Sequence, residues 1–168
     1  AERHALMAKK AAKAVVVKNL VDAPESLPVT KSLYYDDVQQ REFDASVLFC
    51  SPLNGEDVPQ GATHGVILDR TCFYPEGGGQ ISDIGTISND TVNIEVRNVQ
   101  KINNVILHAA KVTSGSISVG DQVRLEIDTI RRDKIAINHS STHLLNQALR
   151  DVLGDHVEQK GSLVTDEY

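Results

Sequence analysis

Tryptophan is absent from this 168-residue sequence, and phenylalanine and tyrosine together bring the aromatic share to only 4%. That excludes a platform of interleaved aromatics on which nucleic-acid bases stack. Cysteine is almost as scarce. Cys50 and Cys72 form no CxxC pair and no disulfide-rich spacing, which fits a reducing compartment rather than a cross-linked scaffold. No run approaches the roughly 18 consecutive apolar residues of a membrane span, which argues against an integral membrane protein. Positive charge is also in deficit: 17 Lys and Arg stand against 23 Asp and Glu, a net charge of -6. A generally basic coat for nucleic acid is therefore excluded, and any RNA contact must be local. The deficit is uneven. Residues 1–20 carry Arg3, Lys9, Lys10, Lys13 and Lys18 against Glu2 alone, a local +4 that leaves -10 for the remainder. This start has charges scattered through it and no apolar h-region, so it is not a secretory signal. Its single arginine and lack of serine argue against an organelle transit peptide. A chain that begins at Ala1 rather than Met reads as a piece of something longer, which leaves targeting unreadable.

What is present falls into three stretches. Residues 2–21 lack Gly and Pro and place Ala5, Ala8, Ala12, Val15 and Val16 at helical recurrence, which predicts one amphipathic helix. Its lysines fit a solvated face, with an RNA-contacting stripe as the alternative. Pro24 and Pro28 end it, and residues up to 40 read as a polar connector anchored by Tyr34 and Tyr35. From about Phe43 the pattern turns to short strands, predicted at 45–50, 65–69, 81–87, 91–99, 105–109 and 122–127. Val92, Ile94 and Val96 share one face, as do Val123, Leu125 and Ile127. Turn signals separate the strands at Asn54-Gly55, Ser88-Asn89-Asp90, Asn103-Asn104 and Gly120-Asp121. Six short strands at this spacing predict a small closed or nearly closed barrel. From Asp128 a helix of more than five turns is predicted, ending at Gly154. A further strand is expected over 156–164.

The sharpest chemical feature is His139-Ser-Ser-Thr142-His143. At 3.6 residues per turn the two imidazoles lie on one face about 40° apart, close enough to share a metal ion. Thr142, Asn146 and Ile135 share that side, whereas Ile137, Leu144, Leu145 and Ala148 point away, so the helix is expected to bury the second face and offer the first to something polar. Two histidines at this spacing also arise without any metal. The HExxH metalloprotease pattern is excluded because Ser140 occupies the position of its general-base Glu. Cys50, Cys72, His64, His108 and His156 are the candidate further ligands, none at a helpful spacing.

A second feature is Phe73-Tyr-Pro-Glu-Gly-Gly-Gly-Gln80, whose three glycines demand a tight turn or a close approach to another surface. No Gly-Lys-Ser/Thr follows, so it is not a phosphate-binding P-loop. Ser82 also stands where the GxGxxG dinucleotide fingerprint needs its last glycine. A tight loop between strands and a ligand-contacting loop both remain open. A third, weaker feature is Gln159-Lys160-Gly161-Ser162, by itself a polar bend. A strand after a helix packs back on it, and would let Gln159 present its amide near His139 and Thr142.

Residues 69–85 (DRTCFYPEGGGQISDIG), 138–154 (NHSSTHLLNQALRDVLG) and 156–164 (HVEQKGSLV), in this order and spacing, resemble the alanyl-tRNA synthetase family where its editing domain begins. They equally resemble the related free-standing alanyl-tRNA editing proteins. The resemblance covers roughly residues 43–168, and more loosely the first helix, which looks like the tail of the synthetase's tRNA-recognition region. What it implies is an alanine–tRNA ligase whose editing part hydrolyses the ester of tRNA(Ala) mischarged with Ser or Gly. Such a second site is needed because an alanine pocket rejects neither the smaller Gly nor an added hydroxyl strongly. The resemblance further implies zinc held by His139 and His143 together with a CxxxH pair beyond Tyr168. Thr142 and Gln159 match the pocket residues that select the amino acid. Gln80 with Gly77, Gly78 and Gly79 is expected to help hold the tRNA acceptor end, and Arg131, Arg132 and Lys134 to contact its phosphates. ATP belongs only to the parent enzyme's catalytic domain. The implied compartment is the cytoplasm, with a mitochondrial location the alternative, and the oligomeric state is not read.

The fold class expected is therefore α+β: an N-terminal helix and linker over 1–40, a small antiparallel β-barrel over 41–127, and the first helix and strand of an α/β editing core over 128–168. Pro75 and Gly77 give the loop a form more typical of free-standing editors, while the helix at 2–21 favours the synthetase. A barrel with a docked helix that binds RNA or protein without chemistry is the rival from another class.

Overall fold

The computed structural model describes residues 21, 23–24, 26–36, 39–54, 58–159 and 161–167. The predicted helix over 2–21 lies outside these apart from Val21, as does Gly55 of the Asn54-Gly55 turn. The described residues form two compact units, one comprising 21–76 with 82–128, the other 77–81 with 129–167.

The first unit is the barrel. Strands β2 (Glu42–Pro52), β3 (His64–Leu68), β5 (Gly85–Ser88), β6 (Asn93–Ile102), β7 (Val105–Ser114) and β8 (Gln122–Ile127) close in the order β2-β3-β7-β6-β5-β8. Every neighbouring pair is antiparallel. Alternation is the cause: Phe43, Ala45 and Val47 of β2, Val92, Ile94 and Val96 around the start of β6, and Val123, Leu125 and Ile127 of β8 all turn into one core with Phe73 and Ile87. Closure leaves this sheet without free edges. On the outside, Ile67 and Leu107 pack with Val21 under Leu27, Phe49 and Leu53, which is why β3 is buried on both faces and shows no alternation.

The turns follow the side-chain chemistry read from the sequence. Asn89 Oδ1 accepts from the Thr91 and Val92 amides, and Asn103 takes a positive φ of 52° between β6 and β7. The third predicted strand is shorter than its pattern: Ile81 to Ile84 lie outside any strand and β5 starts at Gly85. Asp83 takes part in a different arrangement there, its Oδ2 accepting from the Tyr74 amide at 2.6 Å while its own amide donates to Tyr74 O at 3.0 Å.

The connector is more ordered than its polarity suggested. It holds β1 (Lys31–Ser32), parallel to β4 (Arg70–Thr71), and a 3-10 turn at Leu33–Tyr35. Buried Thr30 bonds Leu68 O and accepts from the Ile106 amide, pinning the connector to β3 and β7. Tyr34 is an anchor as expected, buried and edge-on to Tyr74 at 5.4 Å.

In the second unit, α1 (Thr129–Leu153) begins and ends close to where it was read, and Gly154 at φ +106° carries the chain out of the helix. Two expectations fail. Among the described residues of 156–164 no strand forms; Val157 folds back onto Gly154 O, and the segment makes a strand-like bridge at Val164, in parallel to Gln80. A strand needs a ladder of partners, and the single bridge offers one rung. Nor do the described residues cover the apolar face of α1: Ile137, Leu144, Leu145, Val152 and Leu153 are exposed, and Ile135, on the histidine side, is the buried residue. Periodicity shows that a face is apolar, but a cover for it has to come from elsewhere.

Candidate functional site

The site is built on α1. Residues at i and i+4 stack one turn apart, so His139 and His143 bring their rings to 4.9 Å between centroids with the planes 35° apart. Their Nε2 atoms lie 3.0 Å from each other. Nδ1 of His139 bonds Oε1 of Gln80 at 2.6 Å. A carbonyl oxygen only accepts, so Nδ1 is the donor in this bond. In the neutral ring that leaves the lone pair on Nε2, the atom that faces His143.

The glycine-rich segment sets Gln80 in place. Gly77 and Gln80 exchange amide and carbonyl bonds of 3.0 and 3.1 Å around Gly78 and Gly79, whose φ values are +60° and +83°. Positive φ at both central residues defines the two-residue hairpin turn that glycine enters at no steric cost. Gly79 answers a second demand, because a Cβ there would lie 2.3 Å from Ser162 O. The turn is stapled to the last segment: the Val164 amide donates to Gly79 O at 2.7 Å, and the Ile81 amide to Val164 O at 3.1 Å. Buried Val164 and nearly buried Gln80 complete this patch. Further along, Asn138 Nδ2 donates to Thr165 O at 2.8 Å, and Arg131 pairs with Asp166 at 3.4 Å. The same C-terminal segment therefore ties both the glycine turn and the helix.

The remaining predicted residues are placed as follows. Thr142 is half-buried beside the histidine pair, and its hydroxyl donates to Asn138 O at 2.9 Å, as Ser140 and Ser141 do to Ala136 and Ile137. Gln159 is exposed in the irregular segment after the helix. Arg131 and Arg132 are half-buried in the first turn of α1, and Lys134 is exposed. Among the described residues, no group of three or more His, Cys, Asp and Glu is placed to hold a metal ion. Of the candidate extra ligands, Cys72 and His108 lie in the barrel core. There His108 donates from Nδ1 to Val66 O and accepts at Nε2 from the Thr71 hydroxyl, while burial pushes its pKa down to about 4 despite the Val66 bond. That histidine is a satisfied core residue.

Sequence reasoning found the pair but missed its partner. Gln80, expected at the tRNA acceptor end, has its side-chain oxygen engaged by His139, 59 positions away. No local periodicity encodes such a contact; the only signal was a polar side chain directly after a turn that needs glycine.

The family model for class II (A) tRNA synthetases matches residues 1–131. The chain belongs to this family. Among curated relatives, this class II synthetase chain is similar to the alanine–tRNA ligase of Clostridioides difficile strain 630, 50% identical over 113 residues, which are 67% of this chain and 13% of that protein. It is 42% identical over 141 residues to the alanine–tRNA ligase of Natronomonas pharaonis, covering 84% of this chain and 14% of that one. The enzyme of the same description from Alkaliphilus oremlandii is 47% identical over 111 residues, 66% of this chain and 13% of its own. The class II synthetase chain therefore spans 13–14% of the length of these relatives. The family match stops at Arg131, before the histidine pair.

Proposed function

We propose that this chain serves as part of an alanine–tRNA ligase, and that its long helix contributes to hydrolytic editing of tRNA(Ala) mischarged with serine or glycine. The relatives named alanine–tRNA ligase support the first half. The observation that carries the second is the convergence of the His139 and His143 Nε2 atoms at 3.0 Å with the His139 Nδ1 proton held by Gln80. Two nitrogens on one tetrahedral zinc, each at 2.0–2.1 Å, sit about 3.3 Å apart, so the pair fits half of such a site. His139 and His143 would hold the ion, with further ligands that the described residues do not supply. When bound, zinc supplies a Lewis acid beside the ester carbonyl or a water.

In this reading, the chain's own residues bind and discriminate. Thr142 and Gln159 select a small or hydroxyl-bearing aminoacyl group, because a hydrogen bond made to serine leaves a polar group unpaired when alanine enters. Arg131, Arg132 and Lys134, at the start of α1, contribute positive charge for acceptor-end phosphates. The test is deacylation of Ser-tRNA(Ala) by the full-length enzyme that contains this chain. Replacing His139 and His143 by Ala should abolish hydrolysis and spare charging of tRNA(Ala) with alanine. Hydrolysis at the unaltered rate would refute the editing half.

A further inference from the structure

The glycine turn, the C-terminal segment and the histidine pair are one hydrogen-bonded assembly. The turn is held in place, because Gly79 is packed against Ser162 and both flanking backbone groups bond Val164. Its rigid end projects one polar side chain, Gln80, which is nearly buried and meets His139 Nδ1 at 2.6 Å. A neutral imidazole exchanges freely between two tautomers in water, and a single fixed acceptor at one nitrogen selects between them.

We propose that Gln80 is a positioning residue: its side-chain carbonyl holds His139 in the Nδ1–H form and aims the bare Nε2 at His143, and the Gly77–Gln80 turn with its Val164 staple exists to aim Gln80. The inference rests on the editing reading only for the purpose of the pair; the tautomer itself is a property of the metal-free chain. A histidine that ligates a metal commonly donates its other ring proton to a carbonyl or carboxylate, which orients the ring and raises its basicity. Gln80 stands in that relation to His139. It touches no substrate in this role and acts through the histidine.

The experiment is a long-range ¹H–¹⁵N correlation spectrum of the metal-free full chain labelled at its histidine nitrogens. His139 should show a protonated Nδ1 and an unprotonated Nε2. Gln80→Leu should lose that signature and give a mixture of tautomers, whereas Gln80→Glu, which keeps an acceptor, should retain it. A second readout is zinc titrated against the full-length enzyme, where Gln80→Leu should weaken binding by about 10–100-fold. An Nε2–H tautomer at His139 in the unaltered chain overturns the assignment even if the Leu variant fails to fold. So does an unchanged tautomer in Gln80→Leu. If the full-length enzyme takes up no zinc while the tautomer responds as described, the zinc-dependent reading falls and the positioning role stands.

Discussion

Acidification should destabilise the barrel through one histidine. His108 is fully buried, edge-on to Phe73 at 5.5 Å, with both ring nitrogens already satisfied in the neutral form. Protonation would make Nε2 a donor facing a hydroxyl that now donates to it, and would place a charge in the core, so burial depresses the pKa from 6.5 to about 4. In the unfolded chain the ring titrates near 6.5. Below that value the unfolded state takes up a proton that the folded state refuses until about pH 4. Stability is therefore intact above pH 6.5 and falls as pH drops toward 4. Integrated over that window, the loss is about 3 kcal/mol at pH 4, from roughly 1.36 kcal/mol per unit of pKa difference. For a chain of this size it amounts to about 6–12 °C in Tm. The assay is urea unfolding of the chain and of His108→Gln at pH 7, 5.5 and 4. Other titrating groups are common to both, so the difference in slope isolates His108. Parallel pH profiles, or an imidazole that titrates above pH 6 by NMR, would refute the argument.

Other consequences are open to measurement. Thr71→Val should cost about 1–3 kcal/mol, because it leaves buried His108 Nε2 and the Phe73 amide without their partner; equilibrium unfolding reads it. Gly78→Ala should cost only the left-handed backbone penalty of about 1–2 kcal/mol, since nothing lies within 4 Å of a Cβ there. Gly79→Ala should pay that and also detach the C-terminal segment, seen as faster hydrogen exchange at the Val164 amide; equal exchange in both variants would count against the staple. Leu145→Lys on the exposed face of α1 should change stability by less than about 0.5 kcal/mol, while Ile135→Ala should cost about 2–5 kcal/mol. Cys50, whose thiol pKa is raised by partial burial and by the Asp121 charge, should be alkylated more slowly in the folded chain than in urea. Buried Cys72 should not react until unfolding.

The barrel was legible because its information is local. Strands such as β6 and β8 alternate at period two, and Asn89 and Asn103 mark turns by their own hydrogen-bonding and φ preferences, so each element could be read within a dozen residues. The limits of α1 were legible for the same reason, as was the i, i+4 pairing of His139 with His143. Where burial comes from both sides, as at Ile67 in β3, or where a short polar peg such as Thr30 does the anchoring, the pattern was weaker and the connector was underestimated.

The sequence by itself determined which residues alternate, where helix and turns start and stop, and that two imidazoles share a helical face, because backbone geometry carries these over a few residues. Only the tertiary structure decided that Gln80 reaches His139, that Gly79 yields to Ser162, that Val164 pairs with the turn instead of joining a strand, and that the apolar side of α1 stays exposed. These depend on segments 59 to 85 positions apart meeting, or failing to meet, in space, and no local periodicity records that.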